Sequence, residues 1–67
     1  MDPSIGMIEV EGVAPLIAAG DAAAKAASVD LLGWESIGGY TTVFFTGSLS
    51  DVAAALQAGK AAAEALT

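Results

Sequence analysis

Ile37-Gly-Gly-Tyr-Thr-Thr-Val-Phe-Phe-Thr-Gly-Ser-Leu-Ser-Asp51 decides the fold. Three signals follow one another in it. Ile37 to Tyr40 is a glycine turn. Thr41 to Thr46 is β-branched and aromatic throughout, so it reads as a strand. Gly47 ends that strand, Ser48 is a good helix N-cap, and Asp51 three residues later makes a capping-box-like pair. Upstream, Val29 to Glu35 reads as the partner strand, which makes the two a hairpin closed by the glycines. Downstream, Val52, Ala55, Leu56, Gly59, Ala63 and Leu66 share one face of a helix.

The N-terminal half completes the pattern. Ser4 to Val10 reads as a strand, with Ile8 and Val10 on one side and Ile5 and Met7 on the other. Apolar groups on both faces predict a central strand, or one covered on both sides. Gly12 breaks it. Pro15 suits the first turn of a helix, where its missing N–H costs nothing. That helix is expected from about Pro15 to Ala27, with Leu16, Ile17, Gly20, Ala24 and Ala27 as a narrow apolar stripe. The predicted order is β-α-β-β-α, an α+β fold of the split β-α-β, ferredoxin-like kind. Both helices are expected on one face of an antiparallel sheet. Phe44 and Phe45 must point to opposite faces, one into the core and one out of the sheet.

Composition restricts the function. The chain has 67 residues, enough for a single domain over 1–67, and neither Cys nor His. Disulfides are therefore absent, and the commonest metal ligands with them. Association is the remaining way to stabilise so small a core. Hydrophobic residues make up 55% and charged residues 15%, well short of the charge a solvated surface usually carries. Sixteen alanines, eight in each helical region, favour helix and close approach but bury little area apiece. A net charge of −6 argues against nucleic acid and anionic membranes as partners. No apolar run is long enough to span a bilayer. Met1-Asp-Pro does not resemble a secretory signal.

No catalytic constellation is present: there is no nucleophile–base pair, metal cluster or phosphate loop, and no cofactor is called for. Glu9 and Glu11 share a strand face but have no third ligand nearby, so a solvated edge is the expectation. Trp34 is expected to be a core or interface anchor.

Four segments together resemble the bacterial microcompartment shell proteins. They are Ile5-Gly-Met-Ile-Glu; Gly12 with Pro15, Ile17, Ala18-Ala-Gly-Asp21 and Lys25-Ala-Ala; Val29-Asp-Leu-Leu-Gly followed by Ile37-Gly-Gly; and Gly47-Ser-Leu-Ser-Asp-Val-Ala-Ala-Ala with Ala58-Gly59. The resemblance covers about residues 4 to 64. It implies a structural protein of the bacterial cytoplasm, whose cyclic homo-hexamers tile with themselves and with other shell proteins into flat arrays. It implies a central pore for small metabolites, lined here by Ser36, Ile37, Gly38, Gly39 and Tyr40. Ser36 stands where the family often has lysine, so a pore built from it is less positive, and the loop is one residue shorter than usual. Tyr40 is assigned either to the pore rim or to packing on the sheet. Lys25 matches the family's edge lysine between hexamers. Taken by itself, Lys25 reads as an i,i+4 partner of Asp21, and the two roles are compatible. Lys60 and Glu64 have the same spacing in the less favourable order. The family's fold continues into a fourth strand beside the first. The present sequence stops after the second helix, so the first strand is also expected to lack a neighbour on one side. A rival reading is a small-molecule-binding oligomeric regulatory module of ferredoxin-like fold. Both lysines fall on helices rather than in a loop that could hold a charged ligand, which counts against it.

Overall fold

The computed structural model describes residues 3–66. Along the chain run β1 (Ser4–Glu11), α1 (Val13–Ala26), β2 (Asp30–Ile37), β3 (Tyr40–Gly47) and α2 (Leu49–Glu64). The strands form one antiparallel sheet in the order β1-β3-β2. Both helices lie on one face of it. The predicted element order and fold class therefore hold, with boundaries within about two residues.

The core is thin because most of it is alanine. Ile8, Leu16, Ala19, Ala23, Val43, Phe45, Val52, Ala55 and Ala63 are buried together. Phe45 is the one large side chain fully enclosed among the described residues. Its neighbour Phe44 points the other way, as pleating requires. The helices pack chiefly against each other, with Gly59 of α2 set against Ala19 and Ala23 of α1, while Gly20 of α1 faces Val43 of the sheet. Residues without bulk at these positions let the two backbones approach closely.

The start of α2 is capped as its sequence indicates. The Asp51 N–H donates to Ser48 Oγ at 3.2 Å, and the Ser48 hydroxyl donates to Asp51 Oδ2 at 2.9 Å. Asp51 also places negative charge in the first turn, where the helix dipole favours it.

Three expectations need correction. First, β3 and not β1 occupies the middle of the sheet: the central position read from the apolar pattern of β1 fails, while the open side that the resemblance implied for it is present, and β1 is an edge with one covered face. Ile8 turns inward, whereas Ile5 and Met7 lie exposed on the opposite face. An apolar pattern on both sides of a strand reports that both sides favour burial. It does not say whether the covering comes from the same chain. Second, the buried stripe of α1 is Leu16, Ala19, Gly20 and Ala23, so Ile17 and Ala24 are exposed. The helix sits over β1 and β3, which rotates the buried stripe towards its alanines. Third, Leu66 lies beyond the end of α2 and is exposed.

Because the helices sit over β1 and β3, strand β2 is left uncovered. None of its residues is buried, and only Gly33 is even partly shielded.

Candidate functional site

The loop residues come from the end of the hairpin. Ile37 pairs with Tyr40, leaving Gly38 and Gly39 as a two-residue turn. Both have positive φ, 58° and 90°. Right-handed strand twist favours such a turn, and glycine adopts it at no steric cost. All five residues Ser36 to Tyr40 are exposed. They form one contiguous tip, so the predicted loop is a single feature in space. Ile37 and Tyr40 share the sheet face away from the helices with Glu9, Glu35 and Thr42, around a shallow depression. Tyr40 is half exposed at the rim of that depression.

The tip does not stand alone. The Gly12 N–H, at the junction of β1 and α1, donates to the Gly39 carbonyl at 3.3 Å. The Thr41 hydroxyl donates back to the Gly12 carbonyl at 2.8 Å, with the Val10 carbonyl a longer acceptor at 3.3 Å. Residues 10–12 and 39–41 thus hold each other. Sequence reasoning did not find this contact, because nothing local in either segment announces a partner 29 residues away.

Asp21 and Lys25 lie on the outer side of α1. Lys25 Nζ is 2.9 Å from Asp21 Oδ2, and the side chains are 76% and 60% exposed. A pair so exposed stabilises the subunit by at most about 0.5 kcal/mol. The i,i+4 reading is therefore correct as geometry, with the lysine head beside the Asp21 carboxylate. Lys25 occupies the last turn of α1, whereas the start of that helix adjoins the loop through Gly12. At 1.5 Å per residue the two lie about 18 Å apart along the helix axis. The two predicted sites are thus at opposite ends of one helix.

Between α1 and β2 lies a groove of about 370 Å³ lined by Val13, Leu16, Ile17, Gly20, Leu31, Trp34 and Val43, with Asp21 at its margin. Trp34 is 64% exposed there, so it anchors no core within this chain. On the other face, Ile5, Leu32 and Phe44 adjoin the opposite side of the same strand. Ion chemistry finds no centre here. Glu9 and Glu35 stand on either side of Thr42 in the register, about 10 Å apart at two strand spacings. Among the described residues no group of three His, Cys, Asp or Glu could hold a metal ion. No described helix is long and apolar enough to cross a membrane.

Comparison with known proteins agrees with this architecture. The family model for the BMC domain matches residues 4–67. The carboxysome shell protein CsoS1 of Prochlorococcus marinus is 48% identical over 65 residues, which is 96% of this chain and 63% of that protein. The major carboxysome shell protein CsoS1A of Halothiobacillus neapolitanus is 47% identical over 62 residues, covering 91% of this chain and 63% of its own length. The present chain thus spans less than two thirds of these relatives. Among solved structures, a microcompartment protein from Desulfitobacterium hafniense superposes with a TM-score of 0.86 at 40% identity, covering 91% of this chain and 34% of that one.

Proposed function

The chain belongs to the BMC-domain family, and from that premise we propose that it is a structural subunit of a bacterial microcompartment shell rather than an enzyme. In this reading it closes into a cyclic homo-hexamer within the shell. The loop Ser36–Tyr40 surrounds a central opening for small metabolites. Lys25, oriented by Asp21, lies at the seam with neighbouring hexamers or other shell proteins.

The observation that carries the reading is the placement of the two sites. The subunit is a thin slab of 35 × 22 × 12 Å. Its hairpin tip adjoins one end of α1 and its candidate edge lysine lies near the other. A ring of such slabs with tips inward directs the lysines outward, as a tile with a central opening requires. The exposed surface supports association as well. A compact monomer of 6.5 kDa leaves about 3,800 Å² accessible, whereas this chain leaves 4207 Å². Much of that surface is apolar: Ile17, Leu31 and Trp34 on the α1–β2 side, Ile5, Met7 and Ile37 on the open face. Contiguous apolar surface of this kind favours contact with other protein.

The regulatory-module reading draws no comparable support. Both lysines sit on helices, Lys25 on α1 and Lys60 on α2, so neither lies in a loop placed to recognise a phosphate or carboxylate.

Native mass in solution combined with negative-stain imaging tests the proposal. Rings of about six subunits that grow into flat arrays are the expected result. A folded single copy at high concentration, with no association, overturns it.

A further inference from the structure

We infer that the Thr41 hydroxyl is the positioning group for the hairpin tip, and that it sets the tip's attitude by clasping the tip to the β1–α1 junction. The functional meaning of this clasp rests on the loop reading above, since the tip would form the rim of the opening. The clasp itself is a property of one chain.

Two adjacent glycines make the tip the part of the hairpin with the most backbone freedom. Neither Gly38 nor Gly39 carries a side chain that could pack, and space around both is open. Beyond the Ile37–Tyr40 pair that closes the turn, only contacts from outside the hairpin fix its attitude. The outside holder is the junction at Gly12. Its N–H reaches the Gly39 carbonyl, and its own carbonyl accepts from Thr41 Oγ1. Thr41 is 2% exposed, so its hydroxyl is shielded from water that could replace the bond. Gly12 itself is exposed, so the bond is only partly shielded, and the buried partner that loses most when it breaks is the Thr41 hydroxyl. Gly12 has φ 95°, a conformation that aims its N–H and C=O at the hairpin and that other residues adopt poorly. Thr41 is the first residue after the tip, its side chain faces the helices, and its direction is fixed by the strand pleat opposite Val10. One buried hydroxyl therefore couples the loop to the sheet edge and to the start of α1.

The test is Thr41→Val, which keeps the shape and removes the donor, read by NMR on the glycine-labelled 67-residue chain. Thr41→Val deletes the bond to the Gly12 carbonyl, and the amide of the same residue, bonded to Gly39, reports whether the tip loosens with it. Its hydrogen exchange is expected to rise about tenfold, the scale of one lost hydrogen bond. Order parameters at Gly38 and Gly39 should fall, while Gly59 in the core of α2 is unchanged. Thr41→Ser, which retains the hydroxyl, should restore the Gly12 amide. Val52→Ala serves as a control that weakens the core away from the clasp; it should raise exchange at Gly12 and Gly59 together. Unchanged exchange at Gly12 in Thr41→Val overturns the inference. So does a rise shared equally by Gly59, or failure of serine to rescue. Ring mass measured on the same samples separates the two proposals. A responsive Gly12 amide in a chain that forms no ring leaves the clasp standing and removes the shell reading. Rings with an indifferent amide do the reverse.

Discussion

Of the glycines, Gly59 has the tightest surroundings. A Cβ built there would press on Ile8 Cδ1 and lie 3.0 Å from the Ala19 carbonyl oxygen. Replacing a mid-helix glycine by alanine normally stabilises by about 1 kcal/mol. Here the obstruction includes backbone, which cannot swing aside, and overpacking costs about 1–3 kcal/mol. Gly59→Ala is therefore expected to be net destabilising, seen as a lower urea midpoint at unchanged slope. Phe45 shows the opposite sensitivity. It is the core's large enclosed side chain, and truncation of such a residue costs about 3–5 kcal/mol. That is most of what so small a domain has in total. Phe45→Ala should show no cooperative melting transition by circular dichroism in the isolated subunit. Lys25 behaves differently again. Its contact with Asp21 is too exposed to matter for folding. Lys25→Ala is expected to leave the melting temperature and the ring mass unchanged and to abolish flat arrays. Unaltered arrays in electron micrographs would remove the seam role.

At the scale of elements, α2 is tied down at its start by Ser48 and Asp51. Ser48→Ala removes the acceptor for the Asp51 N–H and is expected to cost about 1 kcal/mol, measured as a drop in thermal midpoint. Ser48→Asp, which keeps an acceptor, should lose much less. The two sheet edges differ in a way that bears on association. Edge β2 shifts register between Leu31 and Gly33, and such an irregularity discourages pairing with another strand. Edge β1 has a continuous register with β3 from Ser4 to Glu11 and contains neither proline nor lysine. A groove beside it is lined by Ile8, Val10 and Ala63, with Lys60 above. Of the two edges, β1 is the one open to regular strand pairing.

At the scale of the whole molecule, the helices cover β1 and β3 and leave β2 and the far face of the sheet bare. Apolar side chains stand on both sides of the uncovered strand, with Trp34 on the helix side and Phe44 and Leu32 on the other. Stability should then depend on concentration, because association supplies the missing burial. The melting temperature is expected to rise as protein concentration increases, with calorimetry over a hundredfold range as the check. A melting temperature independent of concentration would mean that the subunit is self-sufficient.

The order of elements, the hairpin closed by Gly38 and Gly39, the Ser48 cap and the opposed pair Phe44 and Phe45 were all legible in the residues. Each depends on neighbours a few positions apart, where turn geometry, capping and pleat periodicity act. The i,i+4 pair of Asp21 and Lys25 was legible for the same reason. Periodicity alone could not say which strand would be central, which side of α1 would be buried, or that Trp34 would stand in an open groove. Those follow from where the helices settle across the sheet, and alanine-rich faces leave that placement open because several stripes are nearly equivalent. Nor could it join Thr41 to Gly12, since a hydrogen bond between distant segments exists only once β1 and β3 lie side by side.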